Sequence, residues 1–445
     1  MHTSGKGSPQ RYQLTLRQHP LTPGQHSHYL RSKRSPGIST ALHAAYRIGG
    51  GLDVKAFVAA LAETVRQHDA LRIGILDESG RDPLQWVRDE PDVKTLVDCR
   101  QVKSSSEEQF SRYVAMVLGK DLSDPWDLAV GYPFRFRILR YSPTVHAFLA
   151  SFSHVALDGR GVALVLRSLW RNYEHQAAGA PGWPEPTPDS FVLAAGRHGG
   201  SEAPGRAEAA EFWSKRLAGR APVEVPREDF QERSEPGECV VANAVVRGAE
   251  RTALRSLSRL SGCTEFQLAV SAIADAAFAV TSADRVDVWM PMDARTPSEE
   301  KTSGMFTVSL PISVERGKDP RQVVRQVRRE VMAVAAYRNV DSATLTEIQE
   351  RITPGGKTPG PKLVVSYFNR DLSPGEKTYE SFTARPGSYS ADYRYISSGM
   401  ELKIIGGVNS LNLTLVLGPQ FSAPAVVQRV MSAFSSRLGG ISISY

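Results

Sequence analysis

The chain has 445 residues, 41% of them hydrophobic, with 54 lysines and arginines against 47 aspartates and glutamates and a formal charge of +7. That length exceeds what one core usually fills, so two domains are expected, and the apolar content supports packed interiors. No run of about 18 apolar residues offers a membrane-spanning helix, and three widely spaced cysteines (Cys99, Cys239, Cys263) argue against a disulfide scaffold or a zinc site.

Residues 1–10 are polar, rich in glycine and serine, and lack the apolar core of a secretory leader, so they read as a frayed tail. Together with reduced thiols this gives an expected cytoplasmic location. Basic residues are dispersed, with small clusters at Arg31-Lys33-Arg34 and Arg325-Arg328-Arg329. They read as solvated surface or as attraction to an acidic partner; no basic stripe interleaved with aromatics points to nucleic acid. His26 and His28 lie close together, but no metal-binding spacing, Walker A loop, dinucleotide fingerprint or G-x-S-x-G elbow occurs.

Residues 41–48 read as a strand, broken by Gly49-Gly50-Gly51. Asp53 then caps a helix whose apolar positions are Phe57, Val58, Leu61, Ala62 and Val65. It ends near residues 68–72, and a strand follows at 73–76. A further strand is expected at 94–97, a helix at 106–117 and a loop at 124–128. Alternation predicts a half-buried strand over 132–141, a turn at 142–144 and a returning strand over 146–153, with Phe148, Ala150 and Phe152 on one face. The stretch Ser153-His154-Val155-Ala156-Leu157-Asp158-Gly159 comes next, and apolar residues at helical spacing follow over 162–173. His154 to Gly159 therefore forms a tight strand-to-helix loop able to hold an imidazole at the edge of a cavity. Taken alone, the H-x-x-x-D-G pattern fits a buried histidine beside a helix-capping aspartate as well as it fits catalysis.

Residues 176–235 are rich in proline, glycine and alanine and read as a linker carrying one helix at 207–217. The second half has strands at 239–246, 286–292, 306–314, 362–368, 401–405 and 411–417. Helices are expected at 252–260, 266–280, 321–337 and 423–438. Both halves mix strands and helices, which predicts two α/β lobes of similar size with a cleft between them.

Several blocks in order along the chain resemble the condensation-domain family of nonribosomal peptide synthetases, within the chloramphenicol-acetyltransferase-like acyltransferases. They are Leu21-Thr22-Pro23-Gly24-Gln25; Gly51-Leu52-Asp53 with Arg66-Gln67-His68-Asp69-Ala70-Leu71-Arg72; Ser153 to Gly159; Phe212-Trp213-Ser214-Lys215-Arg216-Leu217; Met292-Asp293-Ala294-Arg295; and Gly304-Met305-Phe306-Thr307-Val308-Ser309-Leu310-Pro311. The chain departs from the family pattern at Ser153 (for the first histidine of a pair), Asp69 (for glutamate), Val308 (for asparagine) and Ser309 (for threonine).

The resemblance implies an α/β fold of two chloramphenicol-acetyltransferase-like lobes in a V-shaped pseudo-dimer, with the active site in a tunnel between them. The expected division is an N-terminal lobe over 11–180, a linker over 181–235 and a C-terminal lobe over 236–445. It implies a free-standing, monomeric enzyme that transfers an acyl group from a thioester to an amine or hydroxyl, giving an amide or ester. His154 is the expected catalytic residue. Asp158 is the expected brace, paired with a buried arginine, either Arg295 or Arg72. Gly159 would leave clearance for a pantetheine arm, and Ser153, Ser309, Ser366 and Asn369 are candidate polar tunnel lining. No permanent cofactor or metal is expected. The donor would ride on the phosphopantetheine of an acyl- or peptidyl-carrier protein, the acceptor being a small molecule or carrier-bound, with coenzyme A as the alternative donor. A non-catalytic carrier-binding platform is the remaining alternative.

Overall fold

A computed structural model describes residues 18–34, 41–78, 81–184, 190–199, 205–218, 239–317, 319–352, 362–369, 377–378, 382–386, 399–407 and 409–441. The chain is mixed α/β and divides into two compact units. The first comprises Met1–Ala203, Thr296–Phe306 and Glu376–Tyr389; the second comprises Pro204–Arg295, Thr307–Gly375 and Ser390–Tyr445. Two segments from the C-terminal half of the sequence thus belong to the first unit.

The first unit is built on a six-stranded sheet in the order Lys377–Thr378, Phe382–Pro386, Ala41–Gly50, Val145–Ser153, Phe134–Ser142, Val97–Gln101. Val145–Ser153 lies in the middle, antiparallel to both neighbours. Phe148, Ala150 and Phe152 do share a face, packed with Phe57 of the Val54–Gln67 helix and with Trp170 and Tyr173 of the Gly159–Ala177 helix. Phe57 meets the Phe148 ring edge-on at 4.9 Å. The other face is covered too: Ala147 and Leu149 pack with Phe110, Val114 and Leu118 of the Glu107–Ser123 helix. The strand that leads into the histidine loop is therefore held from both sides.

The helices begin where local chemistry starts them. Asp53 accepts from Ala56 N at 3.0 Å, and Ser106 accepts from Gln109 N at 3.1 Å. Residues 94–97 differ from the expected strand. Asp92 accepts from Lys94 N at 3.2 Å and starts a helical turn, Val93–Leu96, so the strand begins only at Val97. The Phe191–Gly199 helix starts after Ser190, whose hydroxyl accepts from Leu193 N at 3.3 Å. Its first amides are met from afar by the Asp69 carboxylate, which accepts from Ser190 Oγ at 2.6 Å and Phe191 N at 2.9 Å.

The second unit has its own six-stranded sheet, in the order Thr307–Glu315, Arg285–Asp293, Lys362–Asn369, Gly399–Gly406, Ser410–Leu417, Val240–Arg247. The Glu265–Phe278 helix is buried along nearly its whole length, which explains its alanine-rich, apolar sequence; a reciprocal Thr264–Gln267 capping box starts it. The Ser342–Ile352 helix, which the sequence reading lacks, packs Leu345, Ile348 and Ile352 into the same core.

Phe57 is fully buried among Phe148, Trp170 and Tyr173. Phe57→Ala is expected to cost about 3–5 kcal/mol in urea denaturation followed by tryptophan fluorescence. A loss under about 1 kcal/mol would mean that this aromatic cluster is not what fixes the sheet.

Candidate active site

The loop after the Val145–Ser153 strand is fixed by its backbone. Ser153 O accepts from Ala156 N at 3.0 Å and Leu157 N at 3.3 Å, and Ser153 N donates to Pro133 O at 3.0 Å. Ser153 is buried, and its hydroxyl accepts from Val155 N at 3.3 Å. This serine thus serves the turn itself.

His154 follows, partly exposed, with its ring stacked on that of His28 at a centroid distance of 4.2 Å and an interplanar angle of 23°. Burial holds its pKa below the ordinary 6.5, and Arg31 adds to this. The backbone of His154 and Leu157 and the charge of Asp158 oppose the shift without reversing it. The imidazole is neutral at neutral pH, the form that can accept a proton. Its Nδ1 is buried and has no hydrogen-bond partner among the described residues.

Asp158 is 1% exposed and does two things at once. One carboxylate oxygen caps the Gly159–Ala177 helix, accepting from Gly161 N at 2.7 Å. The other accepts from Phe306 N at 3.0 Å, while Asp158 N donates to Gly304 O at 3.1 Å. The carboxylate thus ties the start of the helix to residues 304–306. Gly159 opens the helix without a positive φ, so no turn requires a glycine there. Close approaches fall at Gly161 and Gly304. A Cβ at Gly161 would lie 2.9 Å from Gly304 O, and one at Gly304 would lie 2.0 Å from the Phe191 ring.

The 296–306 segment is tied down at further points within the first unit. His68, buried, touches Ser303 Oγ through Nδ1 and Ser168 Oγ through Nε2, each at 2.9 Å. Burial, with Arg171 nearby, lowers its pKa to about 4, so it is a neutral structural link. Thr22 Oγ1 donates to Met305 O at 2.7 Å. Glu299 meets His198 Nε2 at 2.8 Å and Arg197 at 2.9 Å. Burial pushes the Glu299 carboxyl up, but His198, the Thr296 amide and Arg197 outweigh it and hold it at about 2.

The structure brings Ser153, His154, Asp158 and Gly159 onto one loop in the first unit. Arg72, also there, is not the partner of Asp158: its guanidinium donates to the backbone carbonyls of Val65, Arg88 and Arg66. Those carbonyls ring the end of the Val54–Gln67 helix, where a cation is favoured. Arg295, Ser309, Ser366 and Asn369 belong to the second unit. The Arg295 side chain is 1% exposed, with Nη1 3.0 Å from Asp293 Oδ1. Ser309 is half-buried in the Thr307–Glu315 strand, and Ser366 is buried in Lys362–Asn369, where Asn369 is the last residue. Sequence reasoning missed His28. Its only signal was proximity to His26, which says nothing about a ring 126 positions away, counting from 28 to 154. Among the described residues no cluster of histidine, cysteine, aspartate and glutamate is suited to a metal, and no helix is long and apolar enough to cross a membrane.

A family model described as "Condensation domain" matches residues 16–398. The phosphinothricin tripeptide synthetase PhsB of Streptomyces viridochromogenes is 25% identical over 387 residues, 83% of this chain and 31% of the relative. The malpibaldin synthetase of Mortierella alpina is 23% identical over 349 residues, 76% of this chain and 6% of the relative. The chain thus spans less than a third of the length of these relatives. Among solved structures, the first condensation domain of the calcium-dependent antibiotic synthetase, in complex with a substrate analogue, superposes with a TM-score of 0.73 at 16% identity, covering 96% of this chain and 98% of that one. The X-domain from teicoplanin biosynthesis gives 0.75 at 17% identity, covering 95% and 96%. A mutant starter condensation domain of rhizomide synthetase, in complex with C8-CoA and Leu-SNAC, gives 0.75 at 16% identity, covering 97% and 96%. These structural likenesses establish the fold.

Two stability outcomes follow from the geometry. Asp158→Ala removes a helix cap and leaves the Phe306 amide without its acceptor, so it is expected to cost about 2–4 kcal/mol by chemical denaturation. A stable but inactive variant would instead give Asp158 a direct part in the chemistry. His68 has a folded pKa of about 4, below the ordinary 6.5, so the unfolded chain binds its proton first. Stability is therefore expected to fall by about 3 kcal/mol as pH drops from 6.5 to 4, and to be fully present above 6.5. His68→Gln should flatten that slope in a pH series of urea melts; an unchanged slope would remove His68 as its source. The Glu299 contribution is lost lower, as pH falls from 4.5 towards 2, which separates the two groups.

Proposed function

Because the chain belongs to the condensation-domain family, we propose that it joins an acyl group, delivered as a thioester on the phosphopantetheine arm of a carrier protein, to an amine or hydroxyl acceptor in natural-product biosynthesis. The observation that carries this reading is His154: an imidazole kept neutral at the end of a doubly buried strand, on a loop held by Asp158. A thioester is already activated, so the reaction needs a positioned nucleophile and a proton acceptor. The acceptor's nitrogen or oxygen attacks the thioester carbonyl, a C–N or C–O bond forms, the C–S bond breaks, and the acceptor's proton passes by way of His154 to the departing thiolate. His154 serves as that base, or aligns the acceptor and steadies the tetrahedral intermediate.

Arg295 is the proposed counter-charge for Asp158; a guanidinium this buried needs anionic partners. Gly159 is the proposed clearance for the pantetheine arm, and Ser153, Ser309, Ser366 and Asn369 are the proposed polar lining for substrate. The net charge of +7 favours an acidic carrier.

The test is mass spectrometry of carrier-bound acyl groups incubated with candidate acceptors, alongside the same acyl group on coenzyme A and on a pantetheine mimic. Preferential turnover of the carrier-bound donor is expected. Equal or better use of coenzyme A would replace the carrier with coenzyme A in this reading. His154→Ala is expected to lower kcat by about 100-fold or more while the protein stays folded. If product formation were unchanged, the catalytic assignment of His154 would fall.

A further inference from the structure

A catalytic imidazole needs its ring plane fixed as well as its nitrogens placed. The backbone of His154 and Leu157 acts on the His154 ring, but no hydrogen-bond partner meets its buried Nδ1 among the described residues. What meets the ring instead is a second imidazole, His28, nearly parallel and 4.2 Å away. At that spacing one ring restricts the rotation of the other.

The helix that carries His28, Pro23–Arg34, is itself firmly placed. Thr22 and Gln25 cap its start reciprocally: Thr22 N donates to Gln25 Oε1 at 2.9 Å and Gln25 N to Thr22 Oγ1 at 3.1 Å. Gln25 is bonded to Gln85, whose amide donates in turn to Pro20 O at 3.0 Å. One residue beyond His28, Tyr29 OH donates to Asp77 Oδ2 at 2.8 Å. Thr22 also reaches Met305 O, beside the amide that Asp158 holds. The helix that delivers His28 and the loop that delivers His154 are thus referenced to the same short segment.

We propose that His28 is a positioning residue of the acyl-transfer site, its ring fixing the plane of the His154 imidazole. The proposal rests on the reading of His154 given above. It assigns His28 no bond to substrate. Ser153, next to His154, is taken up by its own turn, and the second imidazole at this loop comes from position 28. The charged groups acting on His154 within the first unit are Asp158, which favours its cation, and Arg31, which opposes it; His26, on the His28 helix, responds to Asp82.

The experiment uses the full chain, labelled with ¹³C and ¹⁵N at histidine, as His28→Phe, His28→Leu and His154→Ala variants. Phenylalanine keeps a flat ring; leucine fills the space without one. The His154 ring signals, assigned by their loss in His154→Ala, are expected to keep a ring-current shift in His28→Phe and to lose it in His28→Leu. With the thioester donor selected above, His28→Leu is expected to lower kcat about tenfold with KM changed less than about threefold, and His28→Phe to recover most of kcat. Unchanged His154 signals in His28→Leu, wild-type kcat in that variant, or equal loss in both variants would overturn the proposal. If His154→Ala itself retains activity, the catalytic reading fails, and the ring signals alone then decide whether His28 sets the plane of His154.

Discussion

The carboxylate of Asp158 is the interaction on which the first unit's site depends. A buried charge is tolerated only when its hydrogen-bonding capacity is filled. Here one oxygen takes the Gly161 amide at 2.7 Å and the other the Phe306 amide at 3.0 Å. These charge-assisted bonds close the helix start and attach residues 304–306 in one step. The histidine loop lies between the strand and that anchored helix, so its geometry is set from both ends. Gly161 follows from the same constraint, because a Cβ there would lie 2.9 Å from Gly304 O; Gly304 in turn is closed off by the Phe191 ring.

Around this brace the first unit uses neutral polar links in preference to charged ones. His68, held at about pKa 4, bridges Ser303 and Ser168 as an uncharged ring. The exception is Glu299, whose ionised form is sustained by His198, the Thr296 amide and Arg197.

Elements governed by local chemistry were legible in the sequence. Asp53 and Ser106 announced their helices, and the alternation over 146–153 placed Phe148, Ala150 and Phe152 correctly on one face. The ordered motif blocks carried the family and the fold. Features made by distant partners were not legible. The Phe191–Gly199 helix is capped by Asp69, 122 residues from Phe191. Arg72 looked like a counter-ion, yet neighbouring carbonyls take it up. Asp158 could be read as a helix cap, and it is one; its second bond, to the distant Phe306 amide, was not legible. The close approaches at Gly161 and Gly304 involve Gly304 and Phe191 in turn, residues distant in sequence, and were not legible. The stacking of His28 on His154 is invisible for the same reason.

The bond between Asp158 and the Phe306 amide spans 148 positions of chain. During synthesis at about 5–20 residues per second, on the order of ten seconds or more separates the emergence of the two ends. Over that interval residues 134–142 and 145–153 have already been made, and one oxygen of Asp158 can take the Gly161 amide, but the other waits for a donor made much later. The first unit therefore cannot mature as an N-terminal piece on its own; its histidine loop acquires its final shape only after much of the second unit's sequence has been made.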